Sequence, residues 1–185
     1  FSVACLLCYR WAGMGWADAF MHMCTTMGLG GFSSHDASIG YFDSHRVEAV
    51  ATVFMALAGI SFLRYFIMLR SRSIMPIVRD REIQTYVGVL LAAIFLIASL
   101  LAVNNVVDNF PEALRTSAFH VLSLATTTGY ASTDYTLWPV FAPVLLMFLG
   151  CFVSCAGSTG GGIKMARMVL LIKQARRELV RIIHP

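Results

Sequence analysis

Residues 126–130, Thr-Thr-Thr-Gly-Tyr, form the segment whose residue types are best suited to bind an ion. A run of threonines that ends in glycine can point successive backbone carbonyl oxygens in one direction, because glycine adopts φ values that other residues avoid. Rings of such carbonyls replace the hydration shell of K⁺ in selectivity filters. For one copy alone, the competing interpretation is an ordinary turn between two helices.

A second copy of the pattern lies 98 residues earlier in the chain. At this offset the aligned pairs are His22 and His120, Gly31 and Gly129, Phe32 and Tyr130, Ser34 and Ser132, and Asp36 and Asp134. In each copy an amphipathic stretch precedes the glycine-containing turn, and a long apolar stretch follows it. Membrane transporters and channels are often built from such repeats. Two copies in register favour ion-binding turns over ordinary turns.

A glycine-rich segment, residues 157–162 (Gly-Ser-Thr-Gly-Gly-Gly), interrupts the last long apolar stretch. Each glycine in a helix interior costs about 1 kcal/mol relative to alanine, so the segment is expected to unwind the helix. The alternative, close helix packing by small residues, does not require three consecutive glycines. Lys164 follows the segment, and two roles for it stay open: repelling cations in a closed state, or anchoring the next helix in the cytoplasm.

The composition argues against a soluble protein. Of the 185 residues, 58% are hydrophobic and 13% are charged, whereas a soluble domain carries about 25% charged residues. The mean hydropathy is +0.72. We therefore expect an all-α polytopic membrane protein, and we exclude a soluble enzyme and a disordered tail. The five cysteines lie in apolar stretches without zinc-like pairs, so we expect buried, reduced thiols.

Three long apolar stretches are predicted to cross the membrane, and the first residues of the chain look like the end of a fourth span. The three stretches are residues 49–69, 83–103 and 136–163. Two shorter apolar stretches, around 17–28 and 112–127, are predicted to be re-entrant helices. Lys and Arg cluster at 70–81 and 164–181, which places both clusters in the cytoplasm and the glycine-containing turns on the outer side.

Two enzyme hypotheses fail on this sequence. A phosphate-binding loop would need a lysine where Ile163 stands. An intramembrane protease would pair Ser158 with His22 or His120 as general base. The predicted topology places Ser158 towards the cytoplasm and both histidines before outward-facing turns, so this pairing is rejected. We therefore predict that the protein is not an enzyme.

Three motifs give the chain a family resemblance. They are GGFSSHDASIGYFDS (residues 30–44), SLATTTGYASTD (123–134) and CAGSTGGGIK (155–164), the last followed by LLIKQARRELVRIIHP. On these motifs the chain resembles the Trk/Ktr/HKT superfamily of potassium transporters over nearly its whole length. The resemblance implies K⁺ uptake through a pseudo-fourfold pore of four span–pore helix–span units, of which this chain holds the second and third. Because Phe1 stands inside an apolar stretch, we expect an internal piece of a longer chain.

The resemblance divides the chain into two pore units. The first unit, residues 1–75, is expected to contain the end of an outer span, a pore helix at about 17–28, a filter at 29–33 and an inner span at about 46–70. The second unit, residues 76–185, is expected to contain an outer span at about 83–105, a pore helix at about 112–127, a filter at 127–131 and an inner span at about 137–180, broken by a glycine-rich loop at 157–163.

The same resemblance assigns the site residues. The filter carbonyls that bind K⁺ are expected at Leu29, Gly30, Gly31, Thr127, Thr128 and Gly129. The gate, an intramembrane loop that blocks the closed pore beneath the filter, is expected at Gly157, Ser158, Thr159, Gly160, Gly161, Gly162 and Lys164. From the residues themselves, filter support is expected from His22 and His120, which would pack or hydrogen-bond behind the filter. Asp36 and Asp134 would either support the filter loops by hydrogen bonds to backbone N–H groups or concentrate cations at the mouth.

The partners are also implied by the resemblance. They are membrane lipid, the remaining pore units of the full-length chain, a second copy in a homodimer, and a cytosolic TrkA-like regulatory subunit that binds nucleotides; nucleic acid is not expected. The chain needs no cofactor, and K⁺ is the transported ion, with symport of H⁺ or Na⁺ left open. The expected location is the inner (plasma) membrane of a bacterium. A non-conducting structural or assembly subunit of a membrane complex remains the alternative.

Overall fold

The computed structural model describes residues 1–107 and 109–183. These residues form nine α-helices and two short 3₁₀ turns, without a strand. The helices are α1 (Ser2–Trp11), α2 (Trp16–Met27), α3 (His45–Ala58), α4 (Phe62–Ser71), α5 (Met75–Val78), α6 (Arg81–Val103), α7 (Phe110–Ala125), α8 (Phe141–Gly150) and α9 (Met165–Ile183). The 3₁₀ turns are Ser38–Phe42 and Tyr135–Leu137. The all-α class predicted from the composition is confirmed.

Helices α2 and α7 lie where the short re-entrant helices are predicted. Helix α2 begins after Gly15 and α7 after Asn109, and each carries an acidic residue in its first turn, Asp18 and Glu112. A carboxylate at this end complements the helix dipole. Both helices end directly before the predicted filter turns.

Helices α3 and α4 are separated by a bend of 83°, where the sequence predicts one continuous inner span. The bend lies at residues 59–61 and has a packing cause. A Cβ on Gly59 would overlap the hydroxyl of Tyr86, so the backbone approaches α6 more closely than any other residue would allow. The Gly59 carbonyl accepts a hydrogen bond from the N–H of Cys155 at 3.2 Å. A tertiary contact at this point therefore redirects the helix.

Helix α6 is the one helix among the described residues that is long and apolar enough to cross a membrane by itself. Its N-cap is Asp80, whose carboxylate accepts from the N–H of Glu82 at 2.8 Å. Tyr86 and Ile97 are buried, whereas Leu91 is exposed. An exposed apolar face of this kind suits contact with lipid.

The last apolar stretch differs from its prediction in where the helix stops. Helix α8 ends at Gly150, and the chain is irregular from Cys151 to Lys164, so the break begins six residues before the first glycine of the predicted loop. The N–H of Ile163 donates to the carbonyl of Cys151 at 2.8 Å, and the N–H of Met165 donates to the carbonyl of Ser154 at 2.9 Å. These bonds close the segment on itself and take the place of helical hydrogen bonds.

The five cysteines are free thiols, but they are not all buried. Cys5 and Cys155 are buried, whereas Cys24 and Cys151 are exposed, so the expectation of burial was wrong for these two. The reason is physical: in a chain of this composition an apolar stretch covers outward-facing surface as well as core.

Candidate ion pore

The two predicted filter turns share one backbone geometry. Leu29 has φ 51° and Thr127, its equivalent in the second copy, has φ 62°. Gly31 and Gly129 have φ 65° and 89°. Left-handed φ values at a leucine and a threonine persist only where the surroundings impose them, and such residues cluster at functional sites. The repeat found in the sequence is therefore also a repeat of backbone conformation.

Equivalent hydrogen bonds hold the two turns. In the first turn, the N–H of Gly30 donates to the carbonyl of Thr25 at 2.8 Å. In the second turn, the N–H of Thr128 donates to the carbonyl of Ser123 at 2.8 Å. Because N–H and C=O groups of a trans peptide point in opposite directions, fixing these donors on α2 and α7 turns the carbonyls of the same peptides away from the helix ends.

The first turn lies directly against the second. A Cβ built on Gly31 would fall far inside the van der Waals distance of the Thr128 carbonyl oxygen, whereas a Cβ on Gly129 would meet open space. The two glycines are therefore needed for different reasons. Both require a left-handed backbone, but only Gly31 also requires the absence of a side chain.

Tyr130 connects the second turn to helix α2. Its hydroxyl lies 2.5 Å from the hydroxyl of Thr25 and 3.1 Å from that of Thr26, and it donates to the carbonyl of His22 at 3.2 Å. The hydroxyl of Tyr9 lies 2.7 Å from that of Thr26 and extends the network to α1. This buried polar cluster joins the two copies just behind the filter turns.

Replacing Tyr130 with phenylalanine should loosen this junction. The change removes the hydroxyl and leaves buried threonine hydroxyls with fewer partners, which costs about 1–3 kcal/mol. We expect thermal unfolding of the purified full-length protein at a lower temperature and a K⁺/Na⁺ flux ratio that is reduced. Tyr41→Phe is the matched control, because the side chain of Tyr41 is 59% exposed; equal effects in both variants would contradict the proposed role of the Tyr130 hydroxyl.

His22 and His120, which the sequence places behind the turns, are both fully buried. Nδ1 of His22 lies 2.8 Å from the carbonyl of Asp18, and Nδ1 of His120 lies 2.9 Å from that of Thr116, at the same helical spacing. Nε2 of His22 lies 2.9 Å from the hydroxyl of Ser33 beyond the first turn. Nε2 of His120 lies 3.3 Å from the carbonyl of Thr133 beyond the second turn, so each imidazole links its helix, α2 or α7, to the chain that leaves the turn.

The two predicted supporting carboxylates differ in their surroundings. Asp36 is exposed. Asp134 caps the second 3₁₀ turn. Two hydrogen bonds hold the pKa of its carboxyl below the ordinary value: the larger effect comes from the Thr136 hydroxyl and the smaller from the Thr136 N–H. Asp18, which the sequence did not single out, accepts from the hydroxyl of Ser34 at 2.8 Å and so contacts the segment after the first turn.

Glu48 is a further residue that the sequence did not single out. It is 6% exposed, near the start of α3. Its carboxylate pairs with the guanidinium of Arg115 on α7 at 2.5 Å and accepts from the hydroxyl of Ser132 at 2.8 Å. Ser132 follows the second filter turn, so Glu48 ties this turn to the first copy. A buried carboxylate of this kind is stable because it is paired and hydrogen-bonded.

The glycine-rich segment lies against both turns. The hydroxyl of Thr159 donates to the carbonyl of Met27 at 3.0 Å, at the end of α2. The N–H of Gly161 donates to the hydroxyl of Thr127 at 2.7 Å, within the second turn. The segment therefore makes one hydrogen bond to each copy of the filter pattern.

Glycines occupy this segment because its backbone lies very close to neighbouring backbone and side-chain atoms. A Cβ on Gly160 would lie 2.9 Å from the carbonyl oxygen of Thr126 and 2.9 Å from Cβ of Ser154. Gly162 has φ 83°, and a Cβ there would lie 2.6 Å from the carbonyl oxygen of Cys151. Gly161 differs, because a Cβ there would make ordinary contacts with Thr127.

Lys164 turns back onto the segment that it follows. Its ammonium donates to the carbonyl of Gly160, and its own φ is 69°. The hydroxyl of Ser154 donates to the carbonyl of Gly161 at 2.6 Å and fixes the same turn from the other side. Ser158, considered above as a nucleophile, donates its hydroxyl to the carbonyl of Cys155 at 2.7 Å.

Comparisons of the sequence with known proteins identify a family and several relatives. The sequence model of the TrkH family, described as "Cation transport protein", matches residues 1–185. The Trk system potassium uptake proteins TrkH of Salmonella typhimurium and of Escherichia coli are each 40% identical to the chain over 184 residues. The Escherichia coli protein TrkG, of the same description, is 37% identical over 184 residues. Each match covers the whole chain but only 38% of the relative.

A solved structure also matches the chain over its whole length. The crystal structure of the potassium transporter TrkH from Vibrio parahaemolyticus superposes with a TM-score of 0.95 at 35% sequence identity, and the match covers all of this chain and 40% of that one. The chain thus spans about two fifths of the length of the proteins that it matches. With the whole chain matched in sequence and in structure, it belongs to the TrkH family of cation transport proteins of the cell membrane.

Proposed function

We propose that the full-length protein takes up K⁺ across the bacterial inner membrane and that this chain supplies two of the units around its pore. The observation that carries the proposal is the pair of turns with equivalent left-handed residues and equivalent hydrogen bonds. The relatives that match the whole chain are named as potassium uptake proteins, which agrees with this assignment.

The filter works through backbone carbonyls. Leu29, Gly30 and Gly31 in one turn, and Thr127, Thr128 and Gly129 in the other, present the oxygens that replace water around K⁺. Helices α2 and α7 end at these turns, so the negative ends of their dipoles lie beside the dehydrated ion. The buried contacts of Tyr130 and Glu48 hold the turns in place, so that the carbonyls are positioned before the ion arrives.

The glycine-rich segment is the gate. Its hydrogen bonds to the end of α2 and to Thr127 support a closed arrangement in which it blocks the path beneath the filter. Opening requires these bonds to break and the segment to move aside. A segment without helical structure has low local stability, so two arrangements of it can lie close in energy.

Helix α9 delivers control from the cytoplasm. It continues directly from the gate, and its exposed surface is rich in Lys and Arg together with Leu170 and Leu179. Such a surface can contact anionic lipid headgroups and a cytosolic nucleotide-binding regulatory subunit of the TrkA type. The full-length protein acts as a homodimer in this proposal.

Cysteine labelling tests the sidedness. A cysteine at Ser73, between the Arg-bearing ends of α4 and α6, should react with an impermeant thiol reagent only from the cytoplasm, and a cysteine at Ser44 only from outside, because Lys and Arg mark the cytoplasmic side. The background must carry alanine at Cys24 and Cys151, whose thiols are exposed. Labelling from the opposite sides would overturn the topology.

Transport itself is tested with the full-length protein in liposomes. We expect uptake of K⁺ down its gradient, with K⁺ preferred over Na⁺, and a further increase when the regulatory subunit is added. A non-conducting assembly subunit would give no uptake above protein-free liposomes although it is folded, and that result would refute the proposal.

A further inference from the structure

A chain of polar contacts links the first turn of α4 and the start of α6 to the base of the glycine-rich segment. The carboxylate of Glu82, in the first turn of α6, accepts a hydrogen bond from the N–H of Ala156 at 2.6 Å. Asp80, the N-cap of the same helix, pairs with the guanidinium of Arg64 on α4. Asp80 also accepts from the N–H of Glu82 at 2.8 Å.

The backbone on either side of Ala156 is bonded to the bend between α3 and α4. The N–H of Cys155 donates to the carbonyl of Gly59 at 3.2 Å, and the carbonyl of Gly157 accepts from the N–H of Phe62 at 3.1 Å. Three hydrogen bonds therefore join residues 155–157 to other elements, two to the bend and one to Glu82. Among these three, the bond to Glu82 is the one made by a side chain, and a carboxylate acceptor makes it stronger than a bond between neutral groups.

We propose that Glu82 is a positioning residue of the gate, whose carboxylate holds residues 155–157 and thereby stabilises the closed arrangement of the glycine-rich segment. This inference rests on the gate described above. The physical reason is that a segment with few side-chain contacts is placed mainly by the attachments at its ends, and α9 and residues 155–157 are those ends. A shift of α4 or α6 on the cytoplasmic side reaches the gate through this contact.

Three substitutions of Glu82 separate the contact from the charge. Glu82→Gln keeps an acceptor at the same reach without the charge. Glu82→Asp keeps the charge in the first helical turn but shortens the side chain by one methylene. Glu82→Ala removes both. A hydrogen bond to a charged group contributes enough to shift a two-state equilibrium about tenfold.

K⁺ flux without the regulatory subunit, normalised to folded full-length protein in liposomes, is the measurement. We expect it to rise about tenfold in Glu82→Ala and Glu82→Asp and about threefold in Glu82→Gln. Arg81→Gln, at an exposed neighbouring position on the same helix, should leave the flux within twofold of the unchanged protein. The opposite order, with Glu82→Asp unchanged and Glu82→Gln raised, would mean that only charge at the helix start matters and would overturn the proposal.

Combination with a shortened gate shows whether Glu82 acts through the glycine-rich segment. In protein that lacks Gly160, Gly161 and Gly162, basal flux should already be high and Glu82→Ala should add nothing. If the deletion raises flux and Glu82→Ala alone does not, the role of Glu82 is refuted while the gate stands. If the deletion itself fails to raise flux, both the gate and the proposed role of Glu82 are refuted. A loss of folded protein without a rise in normalised flux would assign Glu82 to stability alone.

Discussion

Gly31→Ser is expected to lower K⁺ uptake by the full-length protein more than tenfold, whereas Gly129→Ser is expected to keep most of the uptake and to reduce its selectivity. At Gly31 a side chain would be forced into the carbonyl of Thr128, and the φ of 65° adds strain. The clash involves backbone on both sides, so it cannot be relieved by a rotamer change. We expect K⁺ uptake to fall more than tenfold, because both turns must move apart and the carbonyls of both lose their positions.

The result at Gly129 should differ because a side chain there strains the backbone conformation without a steric clash. Its φ is 89° and the space around it is open, and holding a residue with a side chain in this region costs about 1–3 kcal/mol. The turn can relieve part of that cost by rotating its carbonyls, which widens the cation site. We expect the K⁺/Na⁺ flux ratio to fall about tenfold while the amount of folded protein is kept, since a tenfold change corresponds to about 1.4 kcal/mol.

Two other glycines serve as matched controls for this comparison. Gly13 has φ 112° with open space around it and lies outside the predicted filter. Gly13→Ser therefore introduces similar backbone strain at a position that does not line the pore. Gly88 lies within α6, also in open space and without a left-handed φ. Neither substitution should change the K⁺/Na⁺ ratio. Equal loss of selectivity in Gly13→Ser and Gly129→Ser would mean that general destabilisation, and not the filter, explains the result.

The sequence predicted the parts of the molecule that follow from local patterns. The two short helices α2 and α7, the turns after them and the long helix α6 follow from apolar periodicity, glycine positions and charge. The 98-residue offset that aligns His22 with His120 also aligns Leu29 with Thr127, and these two prove to share a left-handed backbone. Neither residue type signals such a conformation; the internal repeat was the available signal.

The parts that the sequence did not predict depend on contacts between distant segments. The bend after Ala58 follows from the contacts of Gly59 with Tyr86 and Cys155, and no local sequence pattern predicts these contacts. The early end of α8 follows from hydrogen bonds that residues 151–154 make to residues 163–165. The sequence assigns no role to Glu48, and only the position of Arg115 shows that its carboxylate is paired and buried.

Deleting Gly160, Gly161 and Gly162 is expected to leave a pore that does not close. The deletion removes the hydrogen bond from Gly161 to Thr127 and the acceptor that Gly160 offers to Lys164. The shortened segment cannot remain at its place beneath both turns, so the closed arrangement loses its contacts. We expect K⁺ flux per folded molecule to rise about tenfold without the regulatory subunit, as about 1.4 kcal/mol of lost closed-state contacts would produce, and to respond less when the subunit is added.

Point substitutions keep this prediction testable even where the deletion prevents folding. Gly160→Ala places a methyl group 2.9 Å from the carbonyl of Thr126 and should push the segment away from the filter, raising basal flux about threefold. Gly161→Ala makes only ordinary contacts with Thr127 and should leave flux unchanged. If glycines were present only for helix packing, both substitutions would lower the amount of folded protein and neither would raise normalised flux. A rise confined to Gly160→Ala is the result that separates a gate from a packing site, because the two glycines are adjacent and differ in what a side chain would meet.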